Sequence, residues 1–192
     1  METSSNPGAT SGKTLIVGYQ LDKKDRIIDV AGDWDRFALD NGAEELIHDA
    51  VIGCSLRSFV SGDITRMFLD TLLAKVRLSG EAISQSYRCD SPGVKRFMQM
   101  TVLPGDEPGG IATRHQLLRE EVFERQLQWL DLRTGKNGGH RLLKRCSMCN
   151  RLSGNGRDFI EPENFLPEPA PAGYTLIYHV CPDCLQRVRG RR

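Results

Sequence analysis

The sequence lacks long apolar segments and a strong excess of either charge. No run approaches the ~20 apolar residues of a membrane-spanning helix, and the first 12 residues, METSSNPGATSG, have no basic region followed by an apolar stretch, as a secretory signal would. The 26 lysines and arginines nearly balance the 25 aspartates and glutamates, giving a net charge of +1. The chain as a whole is therefore not a polycation built for nucleic acid. We expect a cytoplasmic protein without membrane contact, in a reducing compartment where cysteines stay as thiols or bind metal.

Motifs of catalysis are missing as well. The sequence has no recognisable nucleophile–base pair, no glycine-rich loop for phosphate and no paired-carboxylate motif. With 39% hydrophobic and 27% charged residues in 192 positions, it has the composition of a globular protein with room for one ordinary domain and a small second one. We predict that the protein is not an enzyme.

The strongest positive feature is a pair of C-x-x-C motifs near the C-terminal end, CSMC at 146–149 and CPDC at 181–184, with 31 residues between them. Two residues between cysteines let both sulfurs of a tight turn point at one centre, and four thiolates form the tetrahedral set typical of structural zinc. The intervening segment must fold back, and YTLIYHV at 174–180 is typical of a strand that delivers the second pair. The predicted zinc ligands are Cys146, Cys149, Cys181 and Cys184.

Other chemistries for these cysteines stay open. The CPDC motif could exchange disulfides as a dithiol, and a zinc site could release its metal when its thiols are oxidised. His179 or His140 could replace one cysteine as a ligand, whereas a catalytic zinc is disfavoured because four sulfurs leave no open position for water. Basic residues near the motifs could offset a charge of about −2 on a four-thiolate zinc site, or could bind nucleic acid together with the arginine-rich tail. These residues are Lys144, Arg145, Arg151 and Arg187.

The remaining pattern predicts an α+β fold. Strands at 14–20 and 26–30 form a hairpin, short helices follow, and a helix from 63 to 79 has apolar residues at three- and four-residue spacing. Strands at 82–89, 94–103 and 111–118 then complete an antiparallel sheet, and the pattern from 117 to 132 fits a further helix. Trp34 and Phe37 are expected to pack in the core, and Arg88 and Asp90 are expected to form a solvated pair.

The element order from 14 to 118 resembles that of PAS domains. DWDRFA at 33–38 with NG at 41–42 is similar to the short helix after the first PAS hairpin, and VIGCSLRSF at 51–59 is similar to the family's hydrophobic-x-Gly-x-x-Leu-x-x-Phe segment. RCDSP at 88–92, followed by Arg96, lies where PAS domains have their second hairpin. The resemblance implies a domain that senses an unidentified small molecule or binds a protein, and a C-terminal helix that passes a signal or dimerises. It does not extend to flavin photochemistry, because Cys54 lacks the flanking residues of the reactive-cysteine motif, and no histidine matches a haem ligand.

These observations divide the chain into five parts. They are a flexible tail at 1–13, a PAS-like domain at 14–118, a linking helix and linker at 119–139, a four-cysteine zinc module at 140–187 and a basic tail at 188–192. We predict a non-enzymatic sensory or regulatory protein of the cytoplasm, which acts in signal transduction with a protein partner and forms a homodimer through the 117–132 helix. The alternatives are a nucleic-acid-binding transcriptional regulator that uses the zinc module and arginine tail, and a thiol or zinc redox sensor.

Overall fold

Two β-sheets organise the part of the chain that the structure describes. The computed structural model describes residues 15–91, 93–124, 141–155, 157–165 and 174–189. The larger sheet has five strands in the order β2-β1-β5-β4-β3, and every neighbouring pair is antiparallel. Its strands are β1 (Ile16–Leu21), β2 (Ile27–Gly32), β3 (Ile83–Arg88), β4 (Val94–Pro104) and β5 (Ile111–Val122).

Short helices and one long helix connect β2 to β3. They are α1 (Trp34–Asp40), a 3₁₀ turn (Glu44–Leu46), α2 (His48–Val51), a second 3₁₀ turn (Leu56–Phe59) and α3 (Asp63–Ser79). α3 ends where Gly80 adopts a left-handed conformation and donates its N–H to the carbonyl of Val76 at 2.9 Å. It buries Leu72, Leu73 and Val76 in the same core cluster as strand residues of the larger sheet. Apolar residues at helical spacing therefore hold α3 against the sheet.

The smaller sheet lies in the C-terminal part. Its strands are β6 (Arg141–Cys146), β7 (Leu152–Ser153) and β8 (Tyr174–His179), in the order β7-β6-β8. The C-terminal part also contains two helices, α4 (Pro162–Phe165) and α5 (Pro182–Arg189). We call the described residues of 141–189 the cysteine unit and those of 15–124 the N-terminal unit. The core of the cysteine unit is small, with Leu143 and Leu152 fully buried beside Phe123 from the end of β5.

The predicted fold class is confirmed, because the structure is α+β with a five-stranded antiparallel sheet. The hairpin of β1 and β2 and the bounds of α3 also match the prediction. Trp34 packs against the core cluster and donates its indole N–H to the carbonyl of Leu46 at 2.6 Å. Among the described residues, no helix combines the length and apolarity needed to cross a membrane.

One prediction is wrong in part. The helix predicted from 117 to 132 does not begin at 117, because β5 continues through Val122, which lies opposite Val94 of β4. The pairing has one register shift, at Leu118. The rest of the predicted linking helix and linker, from 125 to 139, lies outside the described residues, as do the predicted tail at 1–13 and residues 190–192 of the predicted basic tail at 188–192. The five-part division of the chain stays a prediction.

Candidate metal centre

Two parallel strands bring the four cysteines together. β6 and β8 run in the same direction with Cys146 opposite His179, so both C-x-x-C motifs leave the same edge of the smaller sheet. Cys146 is the last residue of β6, and Cys149 follows in the next turn. Cys181 immediately precedes α5, and Cys184 lies in its first turn. The parallel pairing therefore explains why motifs 31 residues apart in sequence meet in space.

Backbone hydrogen bonds shape both cysteine turns. Asn150 adopts a left-handed conformation with φ of 60° and donates its N–H to the carbonyl of Cys146 at 2.9 Å. Asparagine tolerates that conformation better than most residues because its short polar side chain bonds locally. The second turn becomes helical, with the N–H of Leu185 bonded to the carbonyl of Cys181 at 3.0 Å, and Pro182 occupies the first helical position, where its missing N–H costs nothing.

The sulfur positions fit one tetrahedral ion. All four Sγ atoms lie within 4.8 Å of one another, and the Sγ atoms of Cys149 and Cys181 are 3.7 Å apart. Four sulfurs at ~2.3 Å from a central zinc would lie ~3.8 Å apart by tetrahedral geometry. The exposed fractions are 0% for Cys146, 8% for Cys149, 0% for Cys181 and 2% for Cys184. The donor set and its spacing thus suit a closed structural metal site.

Hydrogen bonds already favour negative charge in the cluster. The backbone N–H of Cys181 points at Sγ of Cys146 at 3.3 Å, and the guanidinium of Arg187 donates to Sγ of Cys184 at 2.9 Å. Contacts with the thiols of Cys149 and Cys184 lower the pKa of Cys146 far below its usual range. The same contact with Cys146 raises the pKa of Cys149. A bound cation would favour the ionised form of all four sulfurs.

The structure also places the other residues that the sequence suggested as ligands or redox partners. His179 does not join the sulfurs, since its ring stacks on Phe159 at a centroid distance of 6.0 Å. His140 lies outside the described residues. All six cysteines are free thiols, so neither C-x-x-C motif is a disulfide. Cys54 and Cys89 are half-buried in the N-terminal unit and are not among the four clustered cysteines.

Basic residues near the motifs bond mainly within the cysteine unit. Arg145 donates to the side-chain oxygen of Asn150 at 3.2 Å, and Arg187 is occupied by Cys184. Arg151 bonds Glu161 at 3.1 Å and lies 3.4 Å from Asp183. The contact of Arg187 agrees with the predicted role of offsetting the charge of the sulfur cluster, whereas Arg145 and Arg151 bond an amide and two carboxylates.

Sequence reasoning missed a buried ion-pair network that joins the two units. Arg88, at the end of β3, forms a bidentate pair with Asp90 at 3.1 and 2.6 Å and bonds Glu161 of the cysteine unit at 2.6 Å. The side chains of Arg88 and Asp90 are 5% and 0% exposed, so the predicted solvated pair is wrong. Burial lowers the pKa of Arg88, but its bonds to Asp90 and Glu161 outweigh burial and raise it overall. Beside this network, Lys95 of β4 bonds Glu163, which gives a second link between the two units.

The inner face of the larger sheet carries a polar cluster as well. His115 accepts or donates a hydrogen bond at Nδ1 with the hydroxyl of Tyr87 at 2.8 Å, and its ring lies 5.5 Å from that of Tyr19. Its Nε2 atom is buried without a hydrogen-bond partner among the described residues. Burial lowers the pKa of His115 to about 4, so this imidazole is neutral at pH 7.

Comparison with known proteins adds little. The chain matches no protein-family model and no curated protein. Among solved structures it is similar to a domain of an HTR-like protein from Haloarcula marismortui ATCC 43049, with 13% identity over 54% of this chain and 98% of that domain, at a TM-score of 0.37. A likeness at that level carries no argument about function, which must come from the site itself.

Proposed function

We propose that this protein is a non-enzymatic sensory or regulatory protein in which a PAS-like domain is joined to a structural zinc module. The observation that carries the proposal is the buried cluster of four cysteine sulfurs, all within 4.8 Å of one another. Zinc is favoured because it binds four thiolates in tetrahedral geometry and keeps one oxidation state, as a purely structural ion should. When bound, it supplies cross-linking between β6 and α5 in a unit whose own apolar core is small.

The PAS-like assignment rests on element order. Two strands, short helices, a long helix and three strands occur in the order on which the resemblance depends, and the three strands form one antiparallel sheet with the first two. In such a protein, sensing would be conveyed to a protein partner. We propose the cytoplasm as its location, in line with its free thiols.

Metal content tests the zinc module. We expect the purified protein to hold one zinc per chain by inductively coupled plasma mass spectrometry, and Cys181→Ser to lose it, because Cys181 is fully buried among the other sulfurs. Cys54→Ser is the matched control, since Cys54 lies outside the cluster and should keep full occupancy. Iron in place of zinc would instead support redox chemistry at the same sulfurs. Full zinc in Cys181→Ser would refute the proposed ligand set.

Native mass spectrometry tests the sensory role. A small molecule or protein that stays bound to the N-terminal unit would support the proposal, and the same spectrum reports the number of subunits. Turnover of a substrate by the isolated protein would contradict the non-enzymatic assignment. Salt-sensitive binding of DNA would favour the alternative of a transcriptional regulator.

A further inference from the structure

We propose that the first cysteine turn is a metal-dependent clasp that holds the start of α3 and the end of β3. This inference rests on the proposed metal site, because it assigns that site a regulatory consequence in the N-terminal unit. The ligands Cys146 and Cys149 would fix the turn. The residues between and after them, Ser147, Met148 and Asn150, would then hold the N-terminal unit through hydrogen bonds. Metal loading would then set how firmly two elements of the sensor-like unit are ordered.

Both spacer residues of the first motif contact the N-terminal unit. The hydroxyl of Ser147 lies 2.6 Å from that of Thr65 in the first turn of α3. The carbonyl of Met148 accepts the backbone N–H of Arg88 at 2.8 Å. Neither residue supplies a sulfur to the cluster, yet each is held between two residues that do. The spacer thus connects the metal centre to two separate elements.

The backbone of Arg88 is held on both sides by the same turn. Its N–H bonds Met148, and its carbonyl accepts the side-chain amide of Asn150 at 3.3 Å. Asn150 in turn closes the cysteine loop through its own N–H. β3 is an edge strand of the larger sheet, so these bonds occupy groups that no neighbouring strand pairs.

Phe68 provides an apolar link beside these hydrogen bonds. It lies one turn after Thr65 on α3 and packs partly buried against both the main core cluster and the cysteine cluster. Protein interiors are densely packed, so a small displacement of one side chain is transmitted to its neighbours. A shift of the cysteine turn would therefore reach the face of α3 that packs on the larger sheet.

The start of α3 depends on outside support. Its N-cap residue is Gly62, which has no side chain, and no side-chain hydrogen bond caps the helix. Helices without a side-chain cap leave their first N–H groups poorly satisfied and fray more readily. Without metal, the turn keeps backbone hydrogen bonds, such as those from Asn150 to Cys146 and from Ser147 to His179, but lacks the sulfur–metal bonds that would fix its two cysteine side chains. Ser147 and Met148 would then hold their positions less firmly. We expect the first turn of α3 and the amide of Arg88 to open more often in the metal-free protein.

Amide hydrogen exchange of the full chain tests the clasp. The metal-loaded protein is compared with protein treated with a chelator under reducing conditions. We expect protection to fall about tenfold or more at Arg88 and in the first turn of α3, and to persist at Val102 and Ile111 in the centre of the sheet. If the metal is bound but its removal leaves Arg88 and the start of α3 unchanged, the clasp is refuted while the zinc site stands. If no metal binds, both proposals fail.

A variant separates the clasp from metal binding. Ser147→Ala keeps all four sulfurs and should keep one metal per chain, but it removes the partly buried hydrogen bond to Thr65 and should lower protection at the start of α3 roughly fivefold. Ser84→Ala is the matched control, because Ser84 makes a similar hydroxyl pair with Thr101 at 3.0 Å within the larger sheet. If chelation unfolds the whole chain, the test is hydrogen exchange of metal-loaded Ser147→Ala. Protection at the start of α3 equal to that of the wild type would overturn the proposal.

Discussion

Replacing Arg88 with methionine would test the ion-pair network between the two units. The Arg88 side chain is 5% exposed and that of Asp90 is fully buried, so Arg88→Met would leave the buried carboxylate of Asp90 without its cation. Glu161, whose side chain is 26% exposed, would lose one of its two arginine partners. Removing one partner of a buried ion pair typically costs about 3–5 kcal/mol. At about 2–4 °C per kcal/mol for a chain of this size, the melting temperature should fall by roughly 6–20 °C. Thermal unfolding of the metal-loaded protein, followed by circular dichroism at pH 7, measures this change.

A surface arginine gives the matched control. Arg36 lies 3.7 Å from Asp40 on α1, and both side chains are about two-thirds exposed, at 66% and 67%. Exposed pairs of this kind contribute about 0.5 kcal/mol or less, so Arg36→Met should barely change the melting temperature. Adding Asp90→Asn to Arg88→Met should recover part of the loss, because it removes one of the stranded charges. A shift for Arg88→Met no larger than that for Arg36→Met would show that the network does not stabilise the junction.

Two further predictions concern the backbone and the core. In urea unfolding, Gly62→Ala should lower the free energy of unfolding more than Gly80→Ala. Both glycines have positive φ, but a Cβ at Gly62 would meet the Tyr178 side chain at 2.8 Å, whereas nothing lies within 4 Å of a Cβ at Gly80. Equal losses would mean that α3 and β8 do not approach closely. His115 has its pKa lowered to about 4 from 6.5, so its contribution is present above pH 6.5 and is lost as pH falls through 4. The free energy of unfolding should therefore drop by about 3 kcal/mol more between pH 7 and pH 4 in the wild type than in His115→Gln, and parallel pH profiles would contradict the buried neutral imidazole.

Local sequence patterns were sufficient where a single element carries its own signal. α3 has apolar residues at helical spacing, and Gly80 stops it, so its bounds from Asp63 to Ser79 could be predicted. The four sulfurs could also be predicted to converge, because two C-x-x-C motifs have few other uses in a reducing compartment. What the motifs did not reveal is that parallel pairing of β6 with β8 places them side by side.

The end of β5 was mistaken because long-range pairing overrides a local repeat. Leu118 and Val122 fit a helical spacing, yet both lie in a strand paired with β4. The length of β4 was the better signal: a strand that runs from Val94 to Pro104 before a tight turn needs an antiparallel partner of similar length. A partner of that length for β4 extends β5 beyond 118.

The junction between the units could not be predicted from one sequence. Arg88 and Glu161 are 73 positions apart, and no sequence motif links them. Charged residues are usually exposed, which made a solvated pair the natural expectation for Arg88 and Asp90. Only the placement of the cysteine unit beside β3 converts that pair into a buried network.

X-ray absorption at the zinc edge of the purified, reduced protein tests the central claim most directly. The account predicts four sulfur neighbours at about 2.3 Å and no nitrogen or oxygen neighbour. A shell that contains nitrogen or oxygen, or a protein that holds no metal and oxidises to a disulfide between the cysteines, would contradict a closed four-thiolate centre.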